Sequence, residues 1–136
     1  MSELHRADRP TYLNPAAVSP PVGRYSHGVL VPAGAPLLFI SGQIGSRADG
    51  SVPEDFAEQA RNAWGNLLAI LKEAGMAPEN LVKTTAYLTR TSDLPIYREV
   101  RASFVSHVRP ASVLIFVPAL VDPRWLFEIE AVAAGS

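Results

Sequence analysis

Val113-Leu114-Ile115-Phe116-Val117 and Trp125-Leu126-Phe127-Glu128-Ile129-Glu130-Ala131-Val132 are the two apolar runs of the closing stretch, Ser112 to Ala134. Pro118-Ala119-Leu120-Val121-Asp122-Pro123-Arg124 joins them with turn residues. Both runs carry the Val, Ile, Phe and Trp of strands. In the second, a period of two puts Trp125, Phe127, Ile129 and Ala131 on one face and Leu126, Glu128, Glu130 and Val132 on the other. Two carboxylates therefore leave one strand face roughly 7 Å apart along the chain, at about 3.3 Å per residue. Acids set among apolar neighbours need a partner, water or a ligand, because an unpaired buried charge is costly. That face is the first place to look for chemistry.

Upstream, Tyr25–Val31 and Leu37–Ser41 read as two strands around Pro32-Ala33-Gly34-Ala35-Pro36, an antiparallel hairpin. Ser41-Gly42-Gln43-Ile44-Gly45 ends the second of them, with glycines that let the backbone come close to a neighbour or a ligand. Gln43 is expected to bond backbone. Ser51 followed by Glu54 fits a capping box, opening a helix whose stripe is Phe56, Ala60, Ala63, Leu67, Ile70, Leu71 and Ala74 and which Gly75 closes. Leu81 to Thr89 reads as a strand. A second helix runs from about Asp93 to Val108, capped by Ser92 or Asp93, with Tyr97, Val100, Phe104 and Val108 facing the core. Residues 1–22 form a Pro-rich, irregular lead-in with at most a short strand near Tyr12-Leu13.

The order β-β-α-β-α-β-β predicts an α+β two-layer sandwich over 1–136, a single domain, with two helices on one face of a mixed six-stranded sheet. No helix remains to cover the other sheet face. A second copy of the chain would cover it, so homo-oligomerisation is expected, with any site at Glu128 lying between subunits.

Composition narrows the function. With 136 residues, 48% apolar and 18% charged, the chain can bury a core and is not disordered. A net charge of −1 gives no basic face for nucleic acid, so that partner is not expected. The absence of cysteine excludes disulfides, thiol nucleophiles and cysteine-ligated metals. His5, His27 and His107 are too scattered for a metal motif. Neither a signal-peptide core nor a membrane-length apolar run is present, which points to a cytoplasmic protein without membrane partners.

Several short motifs, taken in order, resemble the Rid family (reactive intermediate deaminase, YjgF/YER057c). They are Gly23-Arg24-Tyr25-Ser26, Phe39-Ile40-Ser41-Gly42-Gln43-Ile44, Gln59 with Asn66-Leu67, Val82-Lys83-Thr84-Thr85-Ala86-Tyr87-Leu88, Arg109-Pro110-Ala111-Ser112 and Phe127-Glu128-Ile129-Glu130-Ala131-Val132-Ala133. The resemblance implies a chorismate-mutase-like fold, a homotrimer with ligand clefts between subunits, and hydrolysis of reactive enamines or imines without metal or cofactor. It implies that Tyr25 contacts the substrate and that Glu128 positions water. It places Ser41, Gly42 and Ser112 in the substrate-binding set.

One departure matters. The family's carboxylate-binding arginine falls on Ser112, which resembles the arginine-less branches. A serine hydroxyl replaces a bidentate, charge-assisted anchor, so activity on simple 2-imino acids is placed in doubt. Arg98, where many deaminating members have an asparagine, and Arg109 are candidate replacements. Two other classes stand beside the enzyme: a non-catalytic trimer that binds small ligands or regulates, and an endoribonuclease or translation inhibitor.

Overall fold

A computed structural model describes residues 10–135; His5 and the rest of the lead-in before Pro10 lie outside the described residues. Six strands and two helices follow one another: β1 (Thr11–Leu13), β2 (Gly28–Leu30), β3 (Leu37–Ile44), α1 (Phe56–Glu73), β4 (Leu81–Leu88), α2 (Leu94–Val105), β5 (Ala111–Phe116) and β6 (Phe127–Ala134). The architecture is α+β, two helices against a mixed sheet, as the sequence predicts. Among the described residues, no helix is long and apolar enough to cross a membrane.

The six strands divide into two sheets rather than one. β1 and β2 form an antiparallel pair, and β3-β6-β4-β5 form the main sheet, parallel only between β4 and β5. The expected hairpin of Tyr25–Val31 with Leu37–Ser41 is therefore corrected: β2 pairs with β1, and β3 with β6. The physical reason lies in the link and the lengths. Pro32 and Pro36 bracket a turn closed by the Ala35 N–H on the Pro32 carbonyl, and neither proline can donate to a ladder. A three-residue β2 also offers β3 few hydrogen bonds, whereas β6 matches its eight residues.

β6 is the centre of the sheet, and its alternation holds as read. Phe127, Ile129, Ala131 and Ala133 are buried beneath the helices, while Glu128, Glu130 and Val132 face away from them. Burial of Phe56, Ala60, Ala63, Trp64, Leu67 and Leu71 along one stripe is what docks α1 onto this surface. Its start differs from expectation. Asp55 is the N-cap, its carboxylate accepting from the Glu58 N–H at 3.1 Å, and Ser51 is not. Ser51 is held in a turn instead, donating its N–H and hydroxyl to Asp49. At the other end Gly75, at φ +73°, lets the Met76 N–H reach the Leu71 carbonyl, and the helix stops where predicted.

α2 is shorter than the sequence suggests, Leu94–Val105. Asp93 precedes it, but its carboxylate is taken by Arg90 (2.7 Å) and does not cap the helix. Tyr97 and Val100 are buried, Phe104 is half-buried, and Val108 reaches the core from beyond the helix end. Burial pushes the Tyr97 phenol up to about 12.

Gln59 fastens the layers. Its side-chain amide donates to the carbonyls of Pro53 (2.8 Å) and Arg124 (3.1 Å) and accepts the Leu126 N–H (2.8 Å). Asn62 and Asn66, further along α1, take the carbonyls of Gly45, Ile44 and Ser46. The Gln59 and Asn66 motif positions are thus structural, tying helix to strand end. A Cβ on Gly45 would overlap the Gln59 backbone, so this close approach requires glycine.

Candidate functional site

Where Tyr25 sits is decided by an isolated parallel bridge. Ser26 pairs with Ala111, its N–H donating to the Pro110 carbonyl at 3.3 Å, and this lays residues 22–26 beside the start of β5. Tyr25 is thereby brought to a pocket of about 510 Å³ between this segment, β4, β5 and α2. Ser112, Thr84, Ala86, Arg98 and Arg101 also line it. The phenol oxygen of Tyr25 accepts the Val22 N–H at 3.3 Å, and the ring meets His27 edge-on. Ser112 is engaged within the chain: its hydroxyl lies 2.8 Å from that of Thr84 and donates to the Pro110 carbonyl at 3.2 Å. Among the described residues, no histidine or lysine lines the pocket to activate Ser112 as a nucleophile.

Glu128 lies on the opposite face of the same sheet. Its neighbours in register are Ile44 on β3 and Tyr87 on β4. β3 bulges at Ser41–Gly42, between the Ile40–Ala131 and Gln43–Ile129 pairs, and the Glu128 carboxylate sits in the space that a Gly42 side chain would fill. Gln43 donates to the Ser41 carbonyl at 3.0 Å, a backbone bond as expected. Glu128 is half-buried and makes no ion pair among the described residues. Glu130 is already occupied, accepting the Tyr87 hydroxyl at 2.6 Å, and that bond holds the Tyr87 phenol above its ordinary pKa. A shallow hollow of about 400 Å³ lies beside it, lined by Phe39, Ser41, Lys83, Thr85, Glu130 and Val132.

The sequence-derived residues thus fall into two sets. Tyr25, Arg98 and Ser112 meet in the helix-side pocket; Glu128, Gly42 and Ser41 meet on the bare face. Arg109 is exposed and lines neither. Among the described residues, no three His, Asp or Glu side chains are placed to hold a metal. Sequence reasoning missed Arg101, which donates to the Arg24 carbonyl at 3.0 Å; partial burial pulls its guanidinium below the ordinary pKa. A signal was available, because Arg98 and Arg101 stand three apart on α2 and so share a face.

Residues 16–135 match the family described as Endoribonuclease L-PSP. The chain belongs to that family. Its members include Rid proteins, so the resemblance carried by the short motifs holds. A curated rat relative, "2-iminobutanoate/2-iminopropanoate deaminase", is 36% identical over 135 residues, covering 98% of this chain and 93% of its own length. Among solved structures, a Rid family protein of unknown function from Yersinia pestis superimposes with a TM-score of 0.83 at 30% identity, covering 93% of this chain and 98% of its own. E. coli TdcF, solved with bound serine, gives 0.70 at 31%, covering 85% and 91%. Imine deaminases therefore occur within the family to which this fold and site belong.

Proposed function

We propose that the protein is a cofactor-free deaminase that hydrolyses a small enamine or imine acid in clefts between copies of the chain. The observation that carries this reading is the division of the site. Tyr25, Arg98 and Ser112 lie on one side of the sheet and Glu128 on the other, so one chain cannot close both sets around a ligand. Copies arranged around their bare faces, as a trimer, would set the Glu128 of one against the pocket of the next. The rat relative's name and the serine bound to TdcF support a small amino-acid-derived ligand.

In this reaction water attacks the C=N carbon while a carboxylate takes its proton. The resulting carbinolamine then receives a proton on nitrogen and expels ammonia, leaving the 2-oxo acid. Glu128 suits the proton-handling role: it is half-buried, not ion-paired among the described residues, and kept clear by Gly42. Tyr25 and the pocket arginines hold the acid group, replacing the anchor that Ser112 cannot provide. Metal and cofactor have no step in this scheme.

An amino acid oxidase supplies 2-iminobutanoate in situ, and semicarbazide traps what survives. The expected result is faster loss of imine with the protein, reduced at least about 100-fold by Glu128→Gln. Ser112→Arg is expected to raise the rate on this substrate. If several imines are untouched while 2-oxo acids still raise the melting temperature, the protein is a binder instead. That second reading is favoured by one observation, the serine at 112. The ribonuclease activity in the family's description finds less support, since a net charge of −1 offers no basic stripe for a nucleic-acid backbone.

A further inference from the structure

Among the described residues, three guanidinium groups, Arg24, Arg98 and Arg101, line the helix-side pocket, and no carboxylate does. Arg24 spends one N–H on the Ser106 carbonyl and Arg101 spends one on the Arg24 carbonyl; both partners are neutral, so neither positive charge is compensated. Among the described residues, none of the three forms an ion pair. Arg101 is half-buried, and holding it beside two other cations is unfavourable unless an anion completes the pocket. A single carboxylate occupies one guanidinium fork, so this rim has more donors than a 2-imino monocarboxylate can use. Small side chains at Ala86, Ala102 and Ser112 leave length in the pocket for a second group.

We infer that this pocket selects a small dianionic acid, one anionic group held by Arg101 at the inner wall and the second by Arg98 at the mouth. This rests on the reading of the pocket as the ligand site and adds the substrate class. The unsaturated nitrogen compound would be that of a dicarboxylic or phosphorylated amino acid, and the product the matching acidic 2-oxo acid. Arg98 and Arg101 share one helix face and can grip both ends of one ligand.

Calorimetric titration of the intact protein with 2-oxoglutarate, 3-phosphoglycerate and 2-oxobutanoate tests this. One or both of these two-headed acids, 2-oxoglutarate with two carboxylates and 3-phosphoglycerate with a carboxylate and a phosphate of about −2, should bind at least tenfold tighter than 2-oxobutanoate, and the tighter of the two identifies the second group as carboxylate or phosphate. Arg98→Gln, at an exposed position, should bring the ratio below about threefold. Arg101→Lys should weaken every ligand. Equal affinity for mono- and dianions overturns the inference. So does a preference untouched by Arg98→Gln, or an Arg98→Gln variant that loses self-association but keeps the preference, which would make these arginines contacts between copies. The imine assay separates the two claims: a dianion preference without hydrolysis of any imine sinks the deaminase reading alone, and hydrolysis without preference sinks only this one.

Discussion

The two faces of the main sheet solve different problems with the same strands. Beneath the helices, Phe127, Ile129, Ala131 and Ala133 of β6 are shut off from solvent, with Tyr97 tilted against Phe127 at 4.9 Å. On the other face, Phe39 is 72% exposed and Leu37 52%, beside Glu128, Glu130 and Lys83. Over β6 the first face is covered by the chain's own helices, and its residues there are interchangeable only by volume. The other holds apolar side chains that nothing among the described residues covers, next to the acid best suited to chemistry. Stability should therefore be concentrated beneath the helices, and assembly and proton transfer on the second face.

The sharpest test of that contrast is Phe127→Ala, expected to cost about 3–5 kcal/mol in denaturant unfolding through the cavity it leaves. A loss under about 1 kcal/mol would mean the helix-side face is not the core. Next come two glycines three positions apart. Gly45→Ala sets a methyl against the Gln59 backbone, which cannot swing away, and should destabilise by about 1–3 kcal/mol. Gly42→Ala meets the far end of the Glu128 side chain, which can move, so the melting temperature should hold while imine hydrolysis falls. Equal stability losses at both sites would erase the distinction between the faces.

Phe39→Ser addresses the bare face directly. Sedimentation at micromolar concentration should show the wild type assembled and the variant shifted toward single chains, because an exposed apolar patch of this kind is an association surface. A monomeric wild type would break the comparison and the cleft reading together. The smallest effect is alkaline. Folding raises the Tyr97 phenol from the ordinary 10 to about 12 by burial, so its contribution is intact below pH 10 and is lost as pH climbs from 10 to 12. Tyr97→Phe should flatten the stability curve in that window and leave it unchanged at pH 7.

Much of this was legible in the sequence because it is local. The period of two in β6, the stripe of α1 and its stop at Gly75 depend on spacings of a few residues. What failed was decided at a distance. β3 chose β6, about two thirds of the chain away, over the adjacent β2, and no local pattern reports which ladder is longer. The start of α1 fell later than Ser51, which bonds Asp49, because the carboxylate of Asp55 accepts the Glu58 N–H and caps the helix there. The site was legible as residues but not as an arrangement. That Ser112 and Glu128 face opposite ways needs the register of β4 with both neighbours, Thr84 to Ser112 and Tyr87 to Glu128. The proximity of Tyr25 to Ser112 needs the Ser26 bridge. Arg101 was missed because the family motifs drew attention to positions with known counterparts.

Gln59 clasps the start of its own helix to a loop some 65 positions later through three hydrogen bonds from a single amide. In a chain without sulfur crosslinks, that amide does what a covalent staple does elsewhere, and it contains nothing to oxidise or reduce. The loop leading into β6 should accordingly stay anchored in dithiothreitol and peroxide alike.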